Sequence, residues 1–176
     1  MKIHITGASC TGVTTLGQRV AEKLELPHLD TDAFYWEPTD PPFTSRRPIA
    51  ERLAGIRAAQ GDRGWVLSGS LDGWGDPIVA SSDLIVFLTA PTSIRLARLK
   101  TRERQRFGAR IAPGGDMEAI HASFLVWAAG YDDNHFVGRS RARHESWLAE
   151  QNAPVLRLSG AVHVDTLAKK VLGALR

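Results

Sequence analysis

The run Lys2-Ile3-His4-Ile5-Thr6 passes directly into Gly7-Ala8-Ser9-Cys10-Thr11-Gly12-Val13-Thr14-Thr15, and apolar residues at a helical spacing, Leu16, Val20 and Leu24, follow at once. A strand, a glycine-bearing loop and a helix in that order constrain this chain more than any other feature. Two glycines five apart let the backbone curl so that successive amide hydrogens converge, and the helix that follows adds the positive end of its dipole. The segment therefore predicts a phosphate cradle built from Gly7, Ala8, Ser9, Cys10, Thr11, Gly12, Val13, Thr14 and Thr15. Thr14 offers its hydroxyl to magnesium in this reading. An ordinary strand-to-helix turn tightened by glycine is the plainer alternative.

The pattern Gly-x-x-x-x-Gly-Lys-Thr departs at one position: Val13 stands where lysine belongs, with neither charge nor side-chain donor. One preorganised charge lost beside the β- and γ-phosphates is expected to cost about 3 kcal/mol in the transition state. Either another cation compensates, or transfer is slow or absent.

Beyond the loop, short apolar runs alternate with longer helical patterns, which predicts an α/β chain with a parallel sheet covered by helices on both faces. Strands are expected at 2–6, 27–29, 65–68, 84–88 and 155–158, and helices from Thr14, over 48–60, and along Leu167, Val171 and Leu175. Met117, Ile120, Phe124, Trp127 and Tyr131 form one apolar stripe, which predicts a core-facing helix. A length of 176 residues, 43% of them hydrophobic, suits one domain with a full-sized core. The amino terminus lacks a long apolar segment, and no run approaches the ~20 apolar residues of a membrane span, so the expected location is cytoplasmic, with no membrane partner. Cys10 is the sole cysteine and the six histidines show no ligand-like spacing with it, so neither a disulfide nor a structural zinc is expected.

Charge is uneven despite a net of only +3. Arg95, Arg98, Arg102, Arg104, Arg106 and Arg110 gather with Lys100 around a single acid, Glu103. Arg98, Arg102, Arg106 and Arg110 recur at four-residue steps and so share one helix face, turned either to polyanions or simply to solvent. Asp30 and Asp32 end the second strand, at the edge where an open α/β sheet collects ligands, unless they merely cap a short helix. Downstream, Pro41, Pro42 and Pro48 stiffen a connection that carries Arg46 and Arg47, which can hold an anionic acceptor. Asp32, Ser70, Asp72 and Trp74 suit a hydroxylated or even cationic small molecule, although Asp72-Gly73 reads equally as a turn.

With Leu29-Asp30-Thr31-Asp32, Ser68-Gly69-Ser70, the arginine-rich segment and Leu158-Ser159-Gly160 added to the loop, nearly the whole chain resembles the adenylate-kinase-like family of small P-loop kinases. Shikimate- and gluconate-kinase types are the nearer relatives in chemistry. The resemblance implies a single domain over 1–176 with the three-layer α/β/α P-loop NTPase fold, a five-stranded parallel sheet, a substrate-binding insertion at about 33–60 and an arginine-rich lid at about 102–116. It implies ATP or another nucleoside triphosphate with Mg2+, and γ-phosphoryl transfer to a small hydroxylated acceptor. Asp30 then supports magnesium through water and Asp32 orients the acceptor hydroxyl. Arg102 and Arg106 approach the triphosphate as the lid closes, Arg98 and Arg110 flank them, Arg139, Arg141 and Arg143 offer a second set, and Ser159 with Gly160 cradles the base. Ser68 and Asp72 replace the aspartate and phosphate-binding arginine of nucleoside monophosphate kinases, which disfavours such an acceptor. Two other readings stay open: a triphosphate-binding sensor without turnover, suggested by Val13, and, more weakly, a nucleic-acid binder using the arginine stripe.

Overall fold

The computed structural model describes residues 1–175. Its strands are β1 (Lys2–Gly7), β2 (His28–Asp30), β3 (Trp65–Ser68), β4 (Leu84–Thr89) and β5 (Val155–Ser159), all parallel and ordered β2-β3-β1-β4-β5. The central strands are continuous apolar runs because helices cover both faces; Ile3, Ile5, Val66, Leu67 and Val86 are wholly enclosed.

Alternation along the strands divides the core in two. Ile3, Ile5, Val86 and Leu88 pack against Leu16, Val20 and Ala21 of α1 (Val13–Leu24) and against Leu167, Ala168 and Val171 of the last helix (Val164–Gly173). Trp65, Leu67, Ile85 and Phe87 pack on the opposite face against Ile56, Leu71, Ile78, Val79, Trp147 and Leu148. Those residues come from α3 (Ile49–Ala59), the segment into α4 (Asp76–Val79), and α7 (Arg141–Ala149). Between them in the chain lie α2 (Thr31–Tyr35), α5 (Thr92–Phe107) and α6 (Glu118–Ala129), and the helix ending the chain is α8. The fold is thus the expected three-layer α/β/α arrangement around a five-stranded parallel sheet.

One expectation is overturned in part. Of the stripe predicted to face the core, Met117 and Tyr131 at its two ends are buried, whereas Ile120, Phe124 and Trp127 are only half-buried and neighbouring Val126 is 72% exposed. Both sheet faces are already covered, so α6 packs instead along α5 and the turn after it. Buried Arg95 fixes that union: it donates to the carbonyls of Ala90 and Ala128 at 3.2 and 3.0 Å and pairs with Asp132 at 2.9 Å.

Among the described residues no helix is long and apolar enough to cross a membrane.

Candidate active site

The loop after β1 folds on itself. Thr11, fully buried, donates to the Ala8 carbonyl from both its amide (3.2 Å) and its hydroxyl (2.9 Å). Cys10 at φ 63° and Gly12 at φ 100° are left-handed. For Cys10 this costs about 1 kcal/mol, the kind of strain that gathers where backbone amides must converge. Among the described residues the amides of Gly12, Val13, Thr14 and Thr15 donate to no protein acceptor. A ring of free N–H groups at the start of α1 is an anion nest.

On one side the loop meets the β5–α8 connection. Gly160 lies so close that a Cβ there would strike the Thr11 carbonyl, and its amide donates to Thr89 O at 2.7 Å. Arg98 ties the two segments by donating to the carbonyls of Gly160 (2.9 Å) and Cys10 (3.4 Å). They enclose an open cavity of about 470 Å³ lined by Thr11, Gly12, Thr15, Arg98, Ala161 and His163. Ser159 is exposed, and its hydroxyl accepts from the Ala161 amide at 3.4 Å.

On the other side the loop meets the end of β2. The Thr14 hydroxyl donates to Asp30 Oδ2 at 3.0 Å, while Asp30 Oδ1 accepts the Asp32 amide at 3.0 Å and caps α2. Asp30 thus caps α2 with one oxygen and meets Thr14 with the other. Asp32, in the first turn of α2, keeps a face open to solvent. Desolvation first, then the like charge of Asp30, push its carboxyl above the ordinary value, opposed by Arg139, Arg102 and Arg106. Thr14 and Asp30 suit an ion that takes most of its ligands from water and phosphate, as magnesium does; among the described residues no three histidine, cysteine or carboxylate side chains form a metal cage.

The arginines predicted as one stripe go to different places. Arg98 holds the two loops together. Arg102 lies near Asp32, with its fork also on buried Glu103 at 3.0 and 3.1 Å. Arg106 lies over Phe43 and Phe107 at 5.3 and 5.8 Å. Arg110 pairs with Asp116 and Asp40, each at 2.6 Å. Those pairs, with the Phe43–Phe107 edge contact at 6.5 Å, join the arginine-rich segment to the tip of the 36–48 loop.

The acceptor side differs more from expectation. Arg47 donates to Trp36 O at 3.1 Å and pairs with Glu37 at 3.4 Å, and Arg46 forms a bridge with Trp36, so both shape the insertion itself. Asp72 is engaged by Arg143 at 2.6 Å with its side chain only 7% exposed, which removes the free anion a cationic acceptor would need. Ser70 Oγ lies 3.4 Å from His144 Nε2, whose other ring nitrogen meets Tyr131 OH at 2.8 Å; Trp74 donates to Ser70 O at 3.2 Å. Sequence reasoning missed Arg52. It is buried, donates to Arg47 O at 2.7 Å, and its guanidinium lies 4.0 Å from the Tyr35 ring centre and 5.2 Å from that of Trp74. Among the described residues it forms no ion pair. The available signal was its place one turn before Ile56 on the buried face of α3.

A parallel sheet in the order β2-β3-β1-β4-β5, with an amide-lined loop after its central strand, defines the small P-loop kinase fold. Solved structures bear this out: a gluconokinase from Sinorhizobium meliloti 1021 superposes with a TM-score of 0.54 at 16% identity, over 99% of this chain and 90% of its own. Shikimate kinase from Aquifex aeolicus vf5 gives 0.54 at 15% identity, over 99% and 96%. No family model matches the sequence. The chain belongs to the family of the uncharacterized protein YqaC of Bacillus subtilis (strain 168), to which it is 41% identical over 171 residues, 97% of this chain and 94% of that protein.

Proposed function

We propose that the chain is a small-molecule kinase that binds ATP, or another nucleoside triphosphate, and transfers the γ-phosphoryl group to a hydroxyl of a small anionic acceptor. The observation that carries this reading is the nest of unpartnered amides at Gly12, Val13, Thr14 and Thr15, closed off by the Thr14–Asp30 hydrogen bond beside Asp32. The nucleoside lies in the cavity between Arg98 and the β5–α8 loop, and the phosphates point toward Asp32. Thr14 and Asp30 would hold Mg2+, which supplies charge neutralisation to the phosphates.

Asp32 orients the acceptor hydroxyl and takes its proton as the new O–Pγ bond forms and the Pγ–O bond to the β-phosphate breaks. Because the transition state is loose, most of the work is positioning. Arg102 and Arg106 converge from the arginine-rich segment on the transferring oxygens. Arg52, held between Tyr35 and Trp74 with no carboxylate of its own, favours an acceptor that also carries a negative group. One unit over 1–176, with 33–60 as the acceptor-binding insertion and 102–116 as the lid, is the organisation this requires. The cytoplasm is the compartment that supplies the triphosphate.

Calorimetric titration with ATP, GTP and their magnesium complexes, followed by a transfer screen over small hydroxy acids, tests the proposal. Saturable binding with acceptor-dependent ADP release is the expected result. Binding with no transfer to any acceptor would leave the sensor reading, which Val13 favours, and absence of triphosphate binding would overturn both.

A further inference from the structure

The phosphate loop lacks an ammonium group because Val13 precedes Thr14. A different cation reaches it from far along the chain: Arg139 donates through Nη2 to Ser9 Oγ at 3.0 Å across 130 positions of sequence. Its setting is built rather than incidental. The guanidinium lies 4.9 Å from the Trp127 ring centre, the next residue, Ser140, caps α7 by accepting the Arg143 amide at 3.2 Å, and Arg139 Nε is enclosed without a hydrogen-bond partner.

No ion pair among the described residues involves Arg139, although eight other arginines (Arg19, Arg47, Arg95, Arg102, Arg110, Arg141, Arg143 and Arg157) each have at least one. Of the acids near enough to act on it through charge, Asp72 is bound to Arg143, and among the described residues Asp32 forms no ion pair with it. Desolvation lowers the proton affinity of the Arg139 guanidinium itself. A half-buried cation held without an ion-pair partner is costly, and an incoming anion relieves that cost.

We infer that Arg139 supplies to the β- and γ-phosphates the positive charge that Val13 cannot, as an arginine delivered in cis from the α6–α7 connection in place of a loop lysine. Its planar fork suits two phosphate oxygens at once, with Ser9 Oγ holding one arm in place until the ligand arrives. The inference rests on the triphosphate-binding reading of the loop.

Calorimetry with MgATP and with AMP, whose single phosphate stops short of the β-position, tests it on four proteins: wild type, Arg139→Met, Val13→Lys and the double variant. Arg139→Met is expected to weaken MgATP binding by about a hundredfold with little change for AMP. Val13→Lys is expected to recover about tenfold or more in the Arg139→Met background and clearly less in wild type, because the two cations would serve one charge. Should Arg139→Met prove too unstable to titrate, Arg139→Lys replaces it, with MgATP affinity expected to stay within about tenfold of wild type. Equal increments from Val13→Lys in both backgrounds, parallel losses for MgATP and AMP, or a neutral Arg139→Met would overturn this inference alone. A wild-type chain that binds no triphosphate would overturn the site reading beneath it.

Discussion

Replacing Arg52 with methionine separates a residue kept for a ligand from one kept for packing. Within the folded chain the guanidinium gains a charged-donor hydrogen bond to Arg47 O at 2.7 Å, worth about 1.5–2 kcal/mol, and two ring contacts worth about 1 kcal/mol each. Against these stands the desolvation of a 7% exposed cation with no carboxylate, several kcal/mol by itself. The sums nearly cancel, and methionine keeps most of the apolar stem, so Arg52→Met is expected to change stability by less than about 1.5 kcal/mol, or roughly 5 °C in Tm. A bound anionic acceptor, in contrast, loses a charge-assisted contact of about 3 kcal/mol, more than a hundredfold in affinity. Thermal unfolding with and without a saturating hydroxy acid found in the transfer screen reads both quantities. At a hundred times Kd the acid stabilises wild type by about 2.7 kcal/mol, a rise of about 5–10 °C that the variant should lack. A variant destabilised by more than about 3 kcal/mol that keeps the full ligand-induced rise would show that Arg52 is structural and that the acceptor's charge is bound elsewhere.

Two further outcomes follow from titratable groups displaced from their ordinary values. Because the Asp32 carboxyl titrates above its ordinary range, kcat/KM should climb as pH rises through that raised value; Asp32→Asn should flatten the limb and lower transfer at least about a hundredfold while MgATP affinity stays within about threefold, and a parallel fall in both would reassign the residue to nucleotide binding. His4 and His144 are held neutral by burial, at about 4 and about 3. Folded values below the unfolded 6.5 mean that their contribution is complete above about pH 6.5 and is lost as pH falls toward 4. His4 alone should remove about 3 kcal/mol over that window, so a wild-type stability profile flat from pH 6.5 to 4 would contradict the burial argument.

The strands and the two sheet-covering helices were legible because burial on both faces writes an unbroken apolar run, and burial on one face writes a four-residue spacing. Leu16 with Val20 and Leu167 with Val171 sit in the core as that spacing requires. The same logic failed for Ile120, Phe124 and Trp127. Periodicity shows that a helix has an apolar face but not what covers it, and here the sheet had no face left to offer. Arg52 was missed, and Arg139 was named only within a second set of arginines. Arginine reads as a surface residue, and only the fold brings Tyr35 to Trp74 around one, or Ser9 to Trp127 around the other.

The arginine stripe shows why spacing alone misassigns roles. A sixteen-residue helix is about 24 Å long, so residues one turn apart on a single face still meet successive neighbours along that length. Arg98, early in α5, reaches the carbonyls of Cys10 and Gly160, joining the β1–α1 and β5–α8 loops. Arg102 and Arg106, one and two turns on, lie where their charges act on Asp32, and Arg110, beyond the end of the helix, reaches Asp40 on the insertion. The stripe is thus a series of contacts running from the β1–α1 and β5–α8 loops to the 36–48 loop. Arg139, which donates to the Ser9 hydroxyl in the β1–α1 loop, lies outside the stripe altogether.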